Sequence, residues 1–306
     1  MRFAPKEMPK NTRAPRSLLV ATIVSLFFLP AFLSAQIRIV GSDMLGGGIT
    51  SELARFAKRN DLDIRVNLKG SEPALHSLKR NEADLAVIIV GPRLSDVDAD
   101  YIVRPAAYQA AIIVVRDAVT LTEITFDQLS GIYNEGATSN FRRWADLNVR
   151  AGSWSQRTIQ PIALDPRNSL SFELVRSVAF AGVRTLKPSV TLTETPAAAL
   201  ARIKAEESAI AILPLPPPAG SGLKTLLVSP RRGETAYQPT PENLHAGTYP
   251  FRLRVQFVFR KDNAARLRSV LRELLSEDAE KMWKAAGFTP LPAAARNELV
   301  FELENL

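Results

Sequence analysis

The sequence predicts an α/β protein built on parallel strands. LDIRVNL (Leu62 to Leu68) alternates apolar and polar residues with a period of two, as a half-buried strand does. LAVIIV (Leu85 to Val90) is apolar throughout, which is typical of a strand covered on both faces. Between them lies a segment with apolar residues at helical spacing, so strands and helices alternate and the strands are expected to run parallel.

The elements follow one another in the order that this fold class requires. Ile37 to Val40 predict a first strand and Gly48 to Arg59 a helix, after which Ser71 is expected to cap the helix between the two strands above. The later predicted elements are strands at 111–115, 158–164, 209–213 and 251–259, a helix at 170–180, a loose polar stretch at 229–248 and an amphipathic helix at 266–286.

The first 35 residues differ from the rest and predict a secretory signal peptide. A basic start precedes an apolar run from Leu18 to Leu33, followed by Ser34-Ala35-Gln36. The run is shorter than the roughly 20 residues that a helix needs to cross a bilayer. Leu33 is larger than the small residue usual before a cleavage site, so an uncleaved anchor is the alternative. We expect a periplasmic or extracellular protein that meets the membrane only through its signal or a partner.

Composition argues against several function classes. The chain has no cysteine, which excludes a disulfide framework, thiol chemistry and lipid attachment through cysteine. Residues 1–35 hold five of the 39 basic and one of the 31 acidic residues, so the remainder has 34 and 30, a net charge of +4. These charges are interleaved, which argues against a nucleic-acid partner. No nucleophile and base pair is recognisable, and Glu72 and His76 lack a third metal ligand, so we expect no enzyme, cofactor or metal site.

Three loops place a serine beside a predicted helix start. In an open parallel sheet, ligands bind beyond the carboxyl ends of the strands, where helix N-termini offer N–H groups to anions. Helix capping, worth about 1 kcal/mol, is the alternative explanation for Ser71 and Ser169. The candidate ligand-binding residues are Ser42, Asp43, Met44, Leu45, Gly70, Ser71, Arg167, Asn168, Ser169 and Ser171.

Six segments in order resemble the phosphate-binding-protein-like family of periplasmic solute receptors for ABC transporters. They are GSDMLGGGITSELARFAKRN, KGSEPALHSLKRNEADLAV, FDQLSGIYNEGATSNFRRWADL, DPRNSLSFELV, AGTYPFRLRVQFVF and MWKAAGFTPLP, and they span nearly all of residues 37–292. The resemblance implies a two-lobed periplasmic-binding-protein fold of type II, with two parallel-rich sheets flanked by helices and joined by two crossing strands. Lobe 1 would be 36–112 plus 251–306 and lobe 2 would be 113–250, with 111–115 and 253–259 as the crossing strands.

The chain departs from the family's phosphate site at four places. Met44 stands where phosphate receptors have a threonine, and the third strand ends in Ile88, Ile89 and Val90 with no carboxylate before Asp96. The departures that concern the second lobe are Asp165 in place of an arginine and Ser169-Leu170-Ser171 in place of Ser-Gly-Thr. Arg167 and Arg93 are the candidates to replace the missing cation.

Residues and resemblance together predict an exported, non-enzymatic receptor. Its ligand would be a small oxyanion, phosphate or a similar one, held in the cleft between the lobes for ABC-type uptake or sensing. The expected partner is an ABC permease or another envelope protein. The alternative is a degenerate receptor that serves as a protein-interaction or scaffold module in the cell envelope, which Met44 and the apolar end of the third strand favour.

Overall fold

The computed structural model describes residues 36–90, 98–180 and 185–306. The predicted signal peptide, Arg93 and Asp96 lie outside the described residues. Within the part of the chain that is described, no helix combines the length and the apolar character needed to cross a membrane.

Strands and helices alternate along most of the chain. The strands are β1 (Ile37–Gly41), β2 (Ile64–Leu68), β3 (Leu85–Val90), β4 (Tyr101–Ala110), β5 (Ile112–Arg116), β6 (Glu123–Thr125), β7 (Gln160–Leu164), β8 (Thr191–Thr193), β9 (Ala209–Leu213), β10 (Leu223–Thr225), β11 (Leu227–Ser229), β12 (Arg252–Arg260) and β13 (Thr289–Pro290). The helices are α1 (Gly46–Asn60), α2 (Ser71–Lys79), α3 (Phe126–Tyr133), α4 (Ser171–Ala179), α5 (Pro196–Ala205), α6 (Pro241–Ala246), α7 (Ala264–Leu274), α8 (Glu277–Ala285) and α9 (Ala293–Glu304).

The strands form two mixed sheets and a small two-stranded one. The first sheet has the order β13-β4-β12-β3-β1-β2, the second β10-β5-β9-β7-β8, and β11 pairs with β6. Strands β3, β1 and β2 are parallel, as are β9, β7 and β8, whereas the other pairs in both large sheets are antiparallel. The predicted parallel arrangement of the first three strands is therefore confirmed.

The chain passes between the two large sheets twice, at neighbouring points. β4 of the first sheet and β5 of the second are separated only by Ala111, whose N–H donates to the carbonyl of Phe251 (3.1 Å). The buried Tyr249 hydroxyl donates to the carbonyl of Ala111 (2.7 Å). The two segments predicted as crossing strands lie each within one sheet, β5 in the second and β12 in the first, and the crossings come just before them.

Helices on the sheet faces bury their apolar sides in the core. α1 buries Ile49, Leu53 and Phe56, and α7 buries Leu267 and Leu271. Each such side chain contributes about 1.5–3 kcal/mol when it is fully removed from water. The helices are thereby fixed against the strands, and with them the loops at the sheet edges.

Two predicted segments differ from the structure. The helix predicted over 266–286 is wrong in its continuity: α7 ends at Leu274, and α8 begins after Ser276, whose hydroxyl oxygen accepts the Ala279 N–H (3.1 Å). The stretch 229–248 is not loose throughout, because α6 forms there with Thr240 as its cap and Pro241 in its first turn. β4, α3, α5 and α9 had not been predicted.

Candidate ligand-binding site

The carboxyl ends of β1, β2 and β3 meet at one edge of the first sheet. The N–H groups of Lys69 and Gly70 donate to the Gly41 carbonyl (3.1 and 3.0 Å), and the Ser42 N–H donates to the carbonyl of Val87 (3.0 Å). A Cβ at Gly41 would lie 2.4 Å from that same Val87 oxygen, so only glycine fits where β1 ends. This close approach brings two of the predicted ligand loops together.

The first of these loops, Ser42 to Leu45, is a short 3-10 turn. Ser42 is buried, and its hydroxyl oxygen accepts the Met44 N–H (3.3 Å). The Asp43 carboxylate, which is exposed, accepts the same N–H (3.1 Å). Leu45 is buried in the core, whereas Met44 is partly exposed. The Met44 amide is therefore shared between two acceptors of its own turn.

α1 begins with three exposed glycines, Gly46 to Gly48. A Cβ at Gly46 or Gly47 would meet no atom within 4 Å, so open space surrounds this first turn. The Gly46 N–H donates to the Asp43 carbonyl, while the N–H groups of a helix's first turn in general lack partners within the helix. The start of α1 thus presents bare backbone to solvent beside the Ser42 turn.

Ser71 has a different role from the one predicted. The cap of α2 is Gly70, at a φ of 122°, and Ser71 is the first residue of the helix, so the cap prediction is wrong. The Ser71 hydroxyl donates to the Ile89 carbonyl (3.1 Å) and accepts the Ile89 N–H (3.0 Å). Because a hydroxyl has one proton, Ser71 in this arrangement has none to give to an anion. It fixes the start of α2 to the end of β3.

The loop after β7 holds the two other predicted serines. Ser169 and Ser171 are buried, and their hydroxyl oxygens lie 2.8 Å apart. Leu170 occupies the cap position of α4, so the expected cap at Ser169 is displaced by one residue, although the Ser169 oxygen still accepts the Ser171 N–H (3.3 Å). Asn168, next to them, donates through its side chain to the Glu194 carbonyl (3.3 Å).

Arg167 is paired with the aspartate two residues before it. Its guanidinium donates to both carboxylate oxygens of Asp165 (3.0 and 2.6 Å), while 86% of its side chain stays exposed. These hydrogen bonds lower the pKa of Asp165 to about 2, so the carboxylate is ionised and neutralised by its neighbour. Arg167 is thus held by an internal partner, and Asp165 does not stand as an unpaired anion.

The structure groups the predicted residues into two clusters, one at each large sheet. Ser42 to Leu45, Gly70 and Ser71 share the edge of the first sheet, and 167–171 follow β7 of the second. Among the described residues, no three His, Asp or Glu side chains are grouped to hold a metal ion. Glu72 and His76 approach to 3.9 Å, but both are mostly exposed.

Sequence reasoning missed a cavity at the opposite end of β7, which Lys187 and Arg142 both line. The two residues are 45 positions apart and belong to no recognisable motif. Only the fold brings them to one place.

These features define a class of protein. Two mixed α/β sheets, with a chain that passes between them twice at adjoining points, form the two-lobed periplasmic-binding-protein architecture. The chain belongs to the PBP superfamily, because the model of the PBP superfamily domain matches residues 30–278.

Solved structures with the same fold confirm the predicted fold class. A possible phosphate binding protein from Planctomyces limnophilus is 18% identical, with 89% of this chain and 98% of that chain covered and a TM-score of 0.62. An ABC-type phosphate transport receptor from Vibrio cholerae is 19% identical (84% and 100% covered, TM-score 0.59), and PstS from Borrelia burgdorferi is 16% identical (84% and 99%, 0.61). None of the curated proteins compared with this chain matches it.

Proposed function

We propose that this chain is an exported, non-enzymatic receptor that binds a small oxyanion between lobe 1 (36–112 plus 251–306) and lobe 2 (113–250). The observation that carries the proposal is the convergence of the Ser42 turn, the bare start of α1 and Gly70 at one sheet edge. Family membership and the phosphate receptors among its structural neighbours support it. Delivery to an ABC permease, or sensing through an envelope protein, is the role we propose for the bound form.

Phosphate itself is one candidate among several oxyanions. The proposed site holds its ligand through backbone N–H groups and the Ser42, Ser169 and Ser171 hydroxyls, because Arg167 is engaged by Asp165. A hydrogen bond to a charged group contributes about 1.5–3 kcal/mol, so several N–H groups together suffice for binding without an arginine. We therefore expect weaker selection of phosphate than a site with its own aspartate and arginine would give.

The first test is a titration of the purified protein with phosphate, sulfate, molybdate and small carboxylates, followed by melting temperature. A ligand that binds only the folded state stabilises it, by about 2.7 kcal/mol at 100 times its Kd. We expect at least one oxyanion to raise the melting temperature in a saturable manner. A melting temperature that no anion shifts, at up to tens of millimolar, would contradict the proposal.

Asp43→Ala is expected to raise the affinity for the anion that binds. The Asp43 carboxylate accepts a hydrogen bond from the Met44 N–H and places a negative charge at the mouth of the proposed site. Removing it leaves the Met44 N–H with the Ser42 oxygen as its remaining acceptor and takes away repulsion, and we expect a gain of about threefold to tenfold in the association constant, measured by calorimetry. Glu234→Ala, the same charge change at an exposed residue of the proposed second lobe, is the control and should leave affinity unchanged. Equal affinities for Asp43→Ala and the unaltered protein would place the ligand elsewhere.

A degenerate receptor that acts as an interaction module is the second candidate function. It is favoured by the internal use of the Ser71 proton, the Met44 amide and the Arg167 guanidinium, each of which an anion would otherwise engage. One experiment distinguishes the two candidate functions: affinity capture from the cell envelope with a chain whose response to anions is known. Recovery of a specific envelope protein by an anion-insensitive chain would support this second one.

A further inference from the structure

A cavity of about 420 Å³ lies at the amino end of β7 in the second sheet. Thr158, Ile159 and Pro161 line it, whereas the Ser169 loop follows the carboxyl end of the same strand at Leu164. The first and last of the five residues of β7 lie about 13 Å apart, at roughly 3.3 Å for each step along a strand. The cavity is therefore distinct from the site proposed above and has its own lining residues.

Two cations line this cavity, and among the described residues neither forms an ion pair with a carboxylate. The Lys187 ammonium donates to the Gly131 carbonyl and to the Asn140 side-chain oxygen (2.8 Å). An ammonium has three N–H donors, so one remains for another acceptor. Across residues 36–90, 98–180 and 185–306, the structure shows no carboxylate oxygen within 4 Å of the Lys187 or Arg142 side-chain nitrogens. Burial and the nearby Arg142 charge lower the pKa of Lys187, as expected where two cations lack a counterion.

Backbone hydrogen bonds fix the chain at both residues. The Arg142 carbonyl accepts the Ile159 N–H (2.8 Å), and the Arg142 N–H donates to Asp146 (2.8 Å). The Lys187 N–H donates to the Tyr133 carbonyl (2.9 Å). The Lys187 ammonium is also held by Gly131 and Asn140, so a ligand would meet that charge already positioned, which lowers the ordering cost of binding.

The floor of the cavity is apolar. Ile132 and Ile159 are buried, and Phe141 is partly buried beside them. A volume of this size falls within the range of small-molecule pockets and exceeds what an inorganic anion fills. The cavity thus combines a charged rim with an apolar base.

We propose that this cavity binds a small organic anion, whose carboxylate or phosphate group pairs with Lys187 and Arg142 and whose apolar body packs on Ile132, Ile159 and Phe141. The shared chemistry is an anionic oxygen group on a body about the size of an aromatic ring. Glu135 also lines the cavity, with its side chain exposed, and its charge opposes an anion. A singly charged carboxylate is therefore favoured over a doubly charged phosphate ester.

The test uses the full chain, labelled with ¹⁵N, and three probes of similar shape: benzoate, phenyl phosphate and neutral benzamide. Benzoate should shift the backbone amide signals of Gly131, Thr158 and Lys187 in a saturable manner, and benzamide should bind at least about tenfold more weakly, because it lacks the charge that the two cations pair with. Phenyl phosphate should bind less tightly than benzoate, and a reversed order would assign the site to phosphate esters. Inorganic phosphate should leave these three signals unmoved, so failure here is distinguishable from failure of the cleft proposal.

Variants of the lining residues show which side chains bind benzoate. Lys187→Met and Arg142→Gln are each expected to weaken benzoate binding about tenfold or more, and Glu135→Gln to strengthen it. Lys187→Met removes the contact to Gly131 and could therefore unfold the protein. Arg142→Gln changes an exposed side chain and should keep the fold, so it tests the proposal independently. Arg143→Gln makes the same charge change one residue away from the cavity lining and is the matched control. Equal binding of benzoate and benzamide, or unchanged affinity in Arg142→Gln, would overturn the proposal.

Discussion

Replacing Gly41 with alanine is expected to lower the free energy of unfolding by about 2–4 kcal/mol. The added methyl carbon would lie 2.4 Å from the Val87 carbonyl oxygen and 3.0 Å from a Leu68 methyl group. The Val87 oxygen belongs to the neighbouring strand and accepts the Ser42 N–H, so it cannot withdraw without breaking the hydrogen bond that begins the Ser42 turn. Overpacking of a closely packed site costs about 1–3 kcal/mol, and the lost hydrogen bond adds about 1.

Urea unfolding followed by tryptophan fluorescence measures this loss. Gly47→Ala is the matched control, because a Cβ there meets no atom within 4 Å and alanine favours a helix by about 1 kcal/mol over glycine. The control should therefore be as stable as the unaltered protein or more so. If Gly41→Ala unfolded at the same urea concentration as the unaltered protein, the close approach of β1 to β3 would be wrong.

The position of Gly41 also bears on function. The strand end, the Ser42 turn and Gly70 are fixed by the same few hydrogen bonds, so a Gly41→Ala protein that folds should hold the turn in a different place. Its oxyanion affinity under the proposed function should fall together with its stability. The two losses then share one structural cause.

The alternation of strands and helices was predictable from the sequence because local patterns carried it. Leu62 to Leu68 has a period of two, and the apolar spacing in Gly48 to Arg59 is helical; both patterns survive in β2 and α1. β4 was not predictable in this way. Pro105 argues against a strand paired on both sides, and β4 accommodates it because β13 pairs only with Ala107 and Tyr108, which leaves Pro105 paired on the β12 side alone. The β12 ladder is also irregular there, between Val255 and Gln256.

The break between α7 and α8 had a local signal that the amphipathic pattern concealed. Ser276 is followed by Glu277, Asp278 and Glu280, and a capping residue before acidic residues is typical of a helix start. The buried residues of the two helices, among them Leu271, Leu274, Ala279 and Met282, recur at intervals of three to five positions across the break. A reading by periodicity alone therefore joins them.

The roles of the predicted site residues depended on contacts that sequence does not show. The Ser71 hydroxyl donates its hydrogen bond to the carbonyl of Ile89, 18 residues away in β3, and no local pattern reveals that. The Arg167 and Asp165 pair was closer to prediction, because a turn of two residues brings such side chains together. The sequence therefore predicted where the loops lie. Which of their hydrogen-bonding groups are free to bind a ligand depends on contacts that only the folded structure shows.

Replacing Asp84 with alanine is expected to lower the free energy of unfolding by about 3 kcal/mol at pH 7. Asp84 is 3% exposed and lies just before β3. Its carboxylate accepts hydrogen bonds from the backbone N–H and the guanidinium of Arg38 in β1 (2.8 to 3.1 Å). It also accepts one from the guanidinium of Arg266 in the first turn of α7 (3.2 Å). It thereby joins two strands and a helix at the sheet edge opposite the Ser42 turn. Removing one member of a buried ionic group costs about 3–5 kcal/mol, and the cost is at the low end here because both arginines are partly exposed.

The same group sets a pH dependence with a definite sign. Burial by itself would raise the pKa of Asp84, but the hydrogen bonds from Arg38 and the charge of Arg266 outweigh it and lower the pKa. A carboxyl whose pKa is lower in the folded state stabilises the fold above its unfolded pKa of about 3.9, and that contribution is lost as the pH falls through the folded pKa. The difference in unfolding free energy between the unaltered protein and Asp84→Asn should therefore be largest near pH 7 and shrink toward pH 3. Glu82→Ala, which removes the exposed partner of Arg80, is the control and should have little effect at either pH. A difference that stayed constant from pH 7 to pH 3 would mean that Asp84 acts through packing alone, since only its ionised form accepts all these bonds.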